Sequence, residues 1–185
     1  NIHFEKPLGE SNANISVIPF VNAISVNNFE DNKSIEDLSV GVDVKVPIGN
    51  GLNLDLTYNP DFSQAEVDDE IVNLRRFEIK LPEKRQFFLQ NSDLFSNFGA
   101  RRTITPFFTR RIGLARDKEG NLVENDIIGG IRLSGKITNG LKIGFLSMLT
   151  NDDIANEIPS NLNTVLSLNQ KVFNRSALKF FFINR

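Results

Sequence analysis

The sequence contains no cysteine, no tryptophan and a single histidine, His3. Without cysteine the chain can form no disulfide, no thiolate metal site and no cysteine nucleophile, and one histidine near a terminus argues against a histidine-dependent triad or metal site. No apolar run approaches the roughly 18 residues that a membrane-spanning helix needs, which excludes a helical membrane protein. Lys and Arg total 21 against 23 Asp and Glu, and this near balance argues against a nucleic-acid binder. The lack of a long apolar run does not exclude a membrane β-barrel, because in such a barrel apolar residues alternate with polar ones.

Alternation with period two is the main pattern in the sequence. Valine occupies every second position from Val40 to Val46, and the alternation resumes from Leu52 to Tyr58. Because the side chains of a strand point alternately to opposite faces, this pattern predicts a hairpin with one apolar and one polar face. Between the two strands, residues 49–51 (Gly-Asn-Gly) are expected to supply the positive φ angles of a tight turn.

The same pattern predicts further strands, and no segment shows a sustained helical period. The additional predicted strands are Ile15–Val26, Phe107–Ala115, Ile127–Ile137, Leu141–Leu149, Thr164–Phe173 and Ala177–Arg185. Tight turns near residues 48–51, 138–140 and 174–176 alternate with polar loops at 116–126 and 151–163. In an up-and-down sheet the short turns then share one end and the long loops the other, an asymmetry typical of outer-membrane barrels.

Residues 59–106 connect two strands that are both expected to run towards the long-loop end. The segment must then cross the sheet once, either as a wall strand, with Ile71–Ile79 as the candidate, or through an interior. It carries an acidic cluster at 66–70 followed by a series of arginines and lysines. An Arg or Lys at the bilayer midplane costs about 2–4 kcal/mol, so in a membrane barrel this segment would line or plug the lumen.

Alternation alone does not say whether the apolar face points into a dry core or towards lipid. The loop asymmetry, the strand lengths of about ten residues and the charges on the polar face, such as Asp43, Asp55 and Arg132, favour lipid. The lack of Trp and the single Tyr favour a soluble barrel or sandwich. We predict an all-β, antiparallel up-and-down transmembrane β-barrel. Residues 1–185 would be its N-terminal strands, part of one domain, with 59–106 folded inward as a charged plug or constriction and the remaining strands missing.

Five short motifs are more specific than the alternation. They read NPDFSQ at 59–64, VNL at 72–74, PEKR at 82–85, FFL at 87–89 and RRIG at 110–113. Together they resemble a family of uncharacterised Gram-negative outer-membrane proteins that join an upstream family-9-like carbohydrate-binding domain to a C-terminal β-barrel. Gln86, Gln90 and Asn91 depart from the Pro, Glu and Gly common in that family. The resemblance implies an outer-membrane barrel, and it carries no sugar-binding role onto any residue of this sequence.

Charged residues of the inward-folded segment and the following RRIG motif are the candidate functional residues, as a lumen or plug charge network. They are Asp61, Glu66, Asp69, Arg75, Arg76, Glu83, Lys84, Arg85, Arg110 and Arg111. The basic residues would form either an arginine ladder that selects anionic solutes or ion pairs that pin the segment in place. We favour pinning, because an unpaired buried charge costs several kcal/mol. Phe87, Phe88, Phe95 and Phe98 are expected to anchor the segment rather than stack on sugars.

The carboxylates of this region allow two alternative roles. The acidic run 61–70 offers oxygen ligands to a cation such as calcium, although its spacing fits no EF-hand loop. Glu66 with Asp69, or Glu83 with Asp93, would supply the carboxylate pair of a glycosidase. Any acidic chain provides such pairs, so we expect a solvated acidic turn or partners for nearby arginines instead.

The sequence therefore predicts a non-enzymatic outer-membrane β-barrel protein, a transport or scaffold component of a cell-surface complex in a Gram-negative bacterium. The expected partners are the lipid bilayer, other outer-membrane proteins and, through the upstream domain of the family, glycans. No nucleic acid, cofactor or metal is expected. The alternative is a soluble all-β module that binds or hydrolyses carbohydrate.

Overall fold

A computed structural model describes residues 14–28, 33–60, 83–96, 98, 106–120 and 122–185. Its main element is a seven-stranded antiparallel sheet in the order β1-β2-β3-β6-β7-β8-β9. The strands are β1 (Ser16–Asn28), β2 (Lys33–Ile48), β3 (Leu52–Tyr58), β6 (Ile127–Lys136), β7 (Leu141–Thr150), β8 (Leu162–Val172) and β9 (Ser176–Asn184), and a second sheet pairs β4 (Leu114–Arg116) with β5 (Leu122–Glu124). The predicted all-β antiparallel architecture is confirmed. The described strands do not close into a barrel, because β1 and β9 lie at opposite edges.

The register of the seven-stranded sheet sorts its side chains onto two faces of opposite character, because directly paired residues share a face. One row across six strands is entirely apolar: Val46, Leu54, Leu133, Phe145, Leu166 and Phe182. The adjacent row, on the other side, reads Lys45, Asp55, Arg132, Leu146, Val165 and Ile183. We call the first side the apolar face and the second the covered face, since two helices pack on it.

The apolar face exposes large hydrophobic side chains. Tyr58 is 62% exposed, Leu162 53% and Phe180 54%. In β2 from Val40 onwards, in β3 and in β6 to β9, no apolar-face position carries a charged residue. The charged residues of these strands point to the covered face or lie at the strand ends. A sheet that faced water on this side would be expected to alternate hydrophobic-in with polar-out.

Three short turns lie together at one end of the sheet, which confirms the predicted asymmetry. The Lys136 N–H donates to the Gly51 carbonyl oxygen (2.8 Å), and the Lys171 N–H donates to that of Gly140 (2.7 Å). We call this the short-turn end, formed by residues 49–51, 137–140 and 173–175. Of the three expected positive φ angles in the first turn, only that of Gly49 is found, at 57°. Gly51 is needed for space, because a Cβ there would lie 2.7 Å from the Lys136 carbonyl oxygen.

Two predictions about the connection from β3 to β6 were wrong. Residues Phe107–Ala115 do not form a wall strand: Thr109–Arg111 is a 3₁₀ turn, and only the last two residues of the range belong to the short β4. In addition β3 pairs directly with β6, so residues 59–126 leave and rejoin the sheet at the same end. This excludes a wall strand between β3 and β6, one of the two alternatives expected for residues 59–106; the other, a course through an interior, stays a prediction. The candidate wall strand Ile71–Ile79 lies outside the described residues.

The hydrophobic core lies on the covered face of the sheet. Two short helices, α1 (Gln86–Leu89) and α2 (Asp93–Ser96), pack there. The core residues are Phe87, Phe88, Leu94, Phe95, Phe107, Ile112, Ile127, Leu146, Met148 and Val165. A Cβ on Gly144 of β7 would lie 3.0 Å from the Leu94 Cβ, so the glycine lets α2 approach the sheet. Burying each large apolar side chain contributes about 1.5–3 kcal/mol, so this core stabilises the contact between the two helices and the sheet.

Candidate functional site

The first residue of the NPDFSQ motif ends β3 and turns the chain towards the covered face. Asn59 has a positive φ of 47°, its side-chain amide donates to the Val40 carbonyl oxygen (2.7 Å), and its N–H donates to that of Ile128 (2.8 Å). The backbone oxygen of Asn59 lies in the space that a Cβ on Gly41 would occupy, beside the Phe20 ring. Gly41 is on the covered face, so this is the side on which the chain departs from the sheet.

An ion pair lies buried on the covered face, between β3 and β6. The Arg132 Nη2 and Nε both donate to the Asp55 Oδ2, at 2.9 and 3.1 Å. Arg132 is 1% exposed and Asp55 2%. The two residues are direct cross-strand partners. Removing one member of such a pair leaves an uncompensated buried charge, at a cost of about 3–5 kcal/mol.

The ion pair is covered by α1 and is incompletely hydrogen-bonded. The Phe87 ring centroid lies 5.1 Å from the Arg132 guanidinium carbon, close enough for a cation–π interaction. The Asp55 Oδ1 and the Arg132 Nη1 are buried without a hydrogen-bond partner among the described residues. The pair therefore depends on the α1 contact for shielding from water. It fixes the position of β3 beside β6, whereas its net contribution to stability is small because burying the two charges is costly.

The segment that carries the helices is tied to several strands of the sheet. We call its described part, residues 83–96, 98 and 106–112, the inner segment. The Asn91 side-chain amide donates to the Ser134 hydroxyl of β6 (3.1 Å), and the Phe98 ring stacks on Phe181 of β9 with 4.1 Å between centroids. These contacts, together with the core, fix the inner segment against β6 to β9.

Arg85, a candidate residue from the PEKR motif, connects the two halves of the inner segment. Its guanidinium forms a bidentate pair with Glu83 (Nε to Oε1 2.7 Å, Nη2 to Oε2 2.8 Å). The same group donates to the carbonyl oxygens of Ile112 (2.7 Å) and Thr109 (2.8 Å). It also lies 4.3 Å from the Phe88 ring centroid. With a side chain that is only 3% exposed, Arg85 holds the segment together and is not positioned to contact a solute.

The remaining candidate residues are placed differently. Arg110 is buried at 8% exposure, and that burial lowers the pKa of its guanidinium while the nearby Glu124 carboxylate opposes the shift. Arg111 lies 4.5 Å from the Phe108 ring centroid, and Lys84 is exposed. Asp61, Glu66, Asp69, Arg75 and Arg76 lie outside the described residues, as does the acidic run proposed as a calcium site.

The described part of the chain gives no support to a glycosidase pair or a metal centre. Glu83 has both carboxylate oxygens bound to Arg85, and Asp93 of α2 lies 3.9 Å from the Lys142 ammonium. Among the described residues no group of three or more His, Cys, Asp or Glu side chains could hold a metal ion. Within the same residues no helix has the length and apolar composition needed to cross a bilayer.

An acidic cavity of about 300 Å³ lies at the long-loop end. Its lining residues are Glu124, Asn125, Asp126, Asn151, Asp152, Asp153 and Ile154. The loop that supplies the last four is held by paired backbone hydrogen bonds between Asp153 and Ile158 (2.8 and 2.9 Å). Sequence reasoning missed this cavity. The only available signal was the concentration of acidic residues in two polar loops, which nothing in the sequence placed side by side.

Fold and site together define an antiparallel all-β protein whose core lies on one face of a sheet and whose other face is apolar and exposed. The chain belongs to a family described as Domain of unknown function (DUF5916), whose model matches residues 12–171. This agrees with the resemblance at the level of an uncharacterised family. No curated protein matches the chain, and no solved structure matches it either.

Proposed function

We propose that the seven-stranded sheet is part of the wall of an outer-membrane β-barrel, with its apolar face against lipid and the inner segment as a plug or constriction of the lumen. The protein would act in the outer membrane of a Gram-negative bacterium as a non-enzymatic transport or scaffold component of a cell-surface complex. One observation carries the proposal: in β2 from Val40 onwards, in β3 and in β6 to β9, the charged residues within the strands lie on the covered face, and the exposed face carries none. A soluble domain has the opposite arrangement.

The energetics of the two faces support this orientation. The covered face already has its own hydrophobic core against α1 and α2, so the apolar face needs a second apolar environment. The hydroxyls of Ser147 and Thr164, polar residues on the apolar face, are hydrogen-bonded to each other (3.1 Å). Such internal pairing is required of polar groups in lipid, because hydrocarbon offers them no partner.

The dimensions of the sheet support the same proposal. Strands β6 to β9 have 10, 10, 11 and 9 residues, and a tilted membrane strand needs about 9–11. The turns 49–51, 137–140 and 173–175 share one end, and the long connections 59–126 and 151–161 share the other, as in outer-membrane barrels with short periplasmic turns. The contacts of Arg85 and the buried Asp55–Arg132 pair favour a pinning role for the charge network over a solute-selecting ladder.

Spin labels on single cysteines test the orientation, because the sequence has no cysteine of its own. We would place one label on the apolar face of β8 with Leu166→Cys, one on its covered face with Asn169→Cys and one in the exposed loop with Ile154→Cys. In protein reconstituted into vesicles, the Leu166 site should be accessible to oxygen and protected from a water-soluble nickel relaxation agent. The loop site should show the reverse, and the Asn169 site should be less accessible to oxygen than the Leu166 site.

Two results would overturn the proposal. One is a Leu166 label that the nickel agent reaches as readily as it reaches the Ile154 label. The other is folded protein that stays in solution without detergent and does not associate with vesicles. Either would favour the soluble carbohydrate-directed module, whose apolar face would then be covered by protein.

A further inference from the structure

The two ends of the seven-stranded sheet differ in the sign of most of their charges; Asp93, beside Lys142 at the short-turn end, and Arg185, which donates to the Leu114 carbonyl oxygen at the long-loop end, are exceptions. At the short-turn end, the stretches 47–53, 134–143 and 169–179 contain basic residues and no acidic residue; the basic ones are Lys136, Lys142, Lys171, Arg175 and Lys179. At the long-loop end, the stretches 113–126 and 150–161 contain Asp117, Glu119, Glu124, Asp126, Asp152, Asp153 and Glu157 against Arg116 and Lys118. An anionic ligand would therefore approach the short-turn end and be repelled from the other.

Three of these lysines lie in a single row on the covered face. Lys136 and Lys142 are direct cross-strand partners, and the row continues through Asn169 to Lys179. We call Lys136, Lys142 and Lys179 the lysine row. Because neighbouring strands lie about 4.8 Å apart, the first two ammonium-bearing positions are spaced by about 5 Å, and the third lies two strands further on.

The direct pairing of Lys136 with Lys142 does not stabilise the fold. Like charges placed directly opposite each other in an antiparallel pair are destabilising. Among the described residues, Lys142 forms one ion pair, a long contact of 3.9 Å to Asp93 of α2, and Lys136 forms none. Both side chains reach solvent, Lys142 with 43% of its side chain exposed. Because the pair is open to solvent, an anion that contacts both ammonium groups would offset their mutual repulsion.

Lys179 is held in place at the far end of the row. Its ammonium lies 5.6 Å from the Phe98 ring centroid, and that ring is stacked on Phe181 of the same strand. Asn169, between Lys142 and Lys179, adds an amide that can donate hydrogen bonds. The row thus presents ammonium groups and an amide across four adjacent strands.

We propose that the lysine row binds a small polyanion, whose phosphate or carboxylate groups are about one strand spacing apart, at the short-turn end of the covered face. Compact ammonium groups bind such groups as point charges. This deepens the proposed function by naming anionic solutes as the class that reaches the lumen, and it rests on that function for its biological meaning. The binding itself requires only the covered face and not insertion into a membrane.

The test is calorimetric titration of the purified, folded protein at low ionic strength, where exposed charges are least screened. Tripolyphosphate serves as the phosphate probe and citrate as the carboxylate probe, and the stronger binder identifies the source of the anionic groups. Lys136→Gln and Lys142→Gln should each weaken binding about tenfold, the effect of losing one charge-assisted contact. Lys136→Arg, which keeps the charge, should retain most of the affinity.

The matched control is Lys118→Gln, which removes the same charge at the long-loop end, where Lys118 pairs with Glu157. Its affinity for the probe should equal that of the unchanged protein. The proposal is overturned if neither anion produces binding heat, or if the control loses as much affinity as Lys136→Gln. Since Lys136→Gln relieves a like-charge pair, its melting temperature should not fall, which separates lost binding from lost folding. Binding that persists while the Leu166 label contacts water would refute only the membrane orientation.

Discussion

Arg132 binds Asp55 across the β3–β6 pair although the two residues are 77 positions apart in the chain. Both hydrogen bonds converge on the same carboxylate oxygen, and the Phe87 ring of the inner segment lies over the guanidinium. The ion pair therefore joins two parts of the fold: it fixes β3 beside β6, and it provides the surface on which α1 packs. A charge pair in this position is compatible with folding only while both partners are present.

Replacing Arg132 alone should destabilise the protein strongly. Arg132→Met leaves the Asp55 carboxylate buried without its partner, and we expect a loss of about 3–5 kcal/mol in the free energy of unfolding. The double variant Asp55→Leu with Arg132→Met should recover most of that loss, because an apolar pair carries no desolvation cost. Denaturant titration of the three proteins measures both effects. A single variant as stable as the unchanged protein would contradict the assigned role of the pair.

The apolar face should reject charge in a bilayer. Leu166→Arg places a guanidinium in the middle of an apolar row, and we expect a cost of about 2–4 kcal/mol when the protein folds into vesicles. Ile137→Arg, in a turn at the short-turn end, should cost about 0–1 kcal/mol, the value for positions near the interface. Reversible unfolding from vesicles measures the difference. Equal costs at the two positions would mean that Leu166 does not face hydrocarbon.

Gly144 should be required for the docking of α2. A Cβ at this position would lie 3.0 Å from the Leu94 Cβ and from the Phe95 Cζ, so Gly144→Val forces the helix away from β7. We expect a loss of about 1–3 kcal/mol from overpacking and faster hydrogen exchange of the amides of Leu94 to Ser96. The control is Phe145→Leu, the next residue on the apolar face, which should leave exchange in α2 unchanged. Unaltered exchange in Gly144→Val would show that α2 does not pack there.

Arg85→Lys should separate the two halves of the inner segment. Lysine keeps the charge but cannot form the bidentate pair with Glu83 while also donating to the Thr109 and Ile112 carbonyl oxygens. We expect a loss of about 1.5–3 kcal/mol, the range for hydrogen bonds to charged groups, and increased protease cleavage between residues 83 and 112. Gln86→Ala, at the exposed neighbouring position, is the control, and the protease should cleave it at the same rate as the unchanged protein. A similar rate in Arg85→Lys would contradict the role assigned to Arg85.

The local parts of the fold were predictable from the sequence, and its long-range pairings were not. Alternation from Val40 to Tyr58 depends only on neighbouring positions, so it identified the β2–β3 hairpin and the side on which Asp55 lies. The pairing of β3 with β6 is decided across residues 59–126, and no local pattern encodes it. The prediction of a strand at Phe107–Ala115 was wrong. The buried residues of this segment, Phe107, Arg110, Ile112 and Ala115, are spaced by three, two and three positions, whereas a strand with one buried face has a period of two.

For the candidate site, the sequence indicated which charged residues take part but not which partners they bind. Charge concentration and the PEKR and RRIG motifs drew attention to Arg85 and Arg110, and a pinning role followed from the cost of burying charge. The partners that Arg85 binds, however, include the carbonyl oxygens of Thr109 and Ile112, and backbone atoms have no signature in a sequence. The lysine row was missed for a related reason, because Lys136, Lys142 and Lys179 come into one row only through the register of four paired strands, β6 to β9.

Asp153, in a loop at the long-loop end, should become protonated at a pH below the usual range for aspartate. The Asn156 side chain and backbone N–H both donate to the Asp153 carboxylate (2.7 and 3.1 Å), and these bonds lower the pKa of Asp153. Because the pKa of Asp153 is lower in the folded than in the unfolded protein, its ionised carboxylate stabilises the fold at a pH above the unfolded pKa of about 3.9. This stabilisation is lost as the pH falls through the folded pKa. The Asn156 amide resonance, followed by NMR, should therefore shift with a midpoint below about 3.9. In Asp153→Asn that transition should vanish, and a midpoint at or above the ordinary aspartate value in the unchanged protein would contradict the assigned hydrogen bonds.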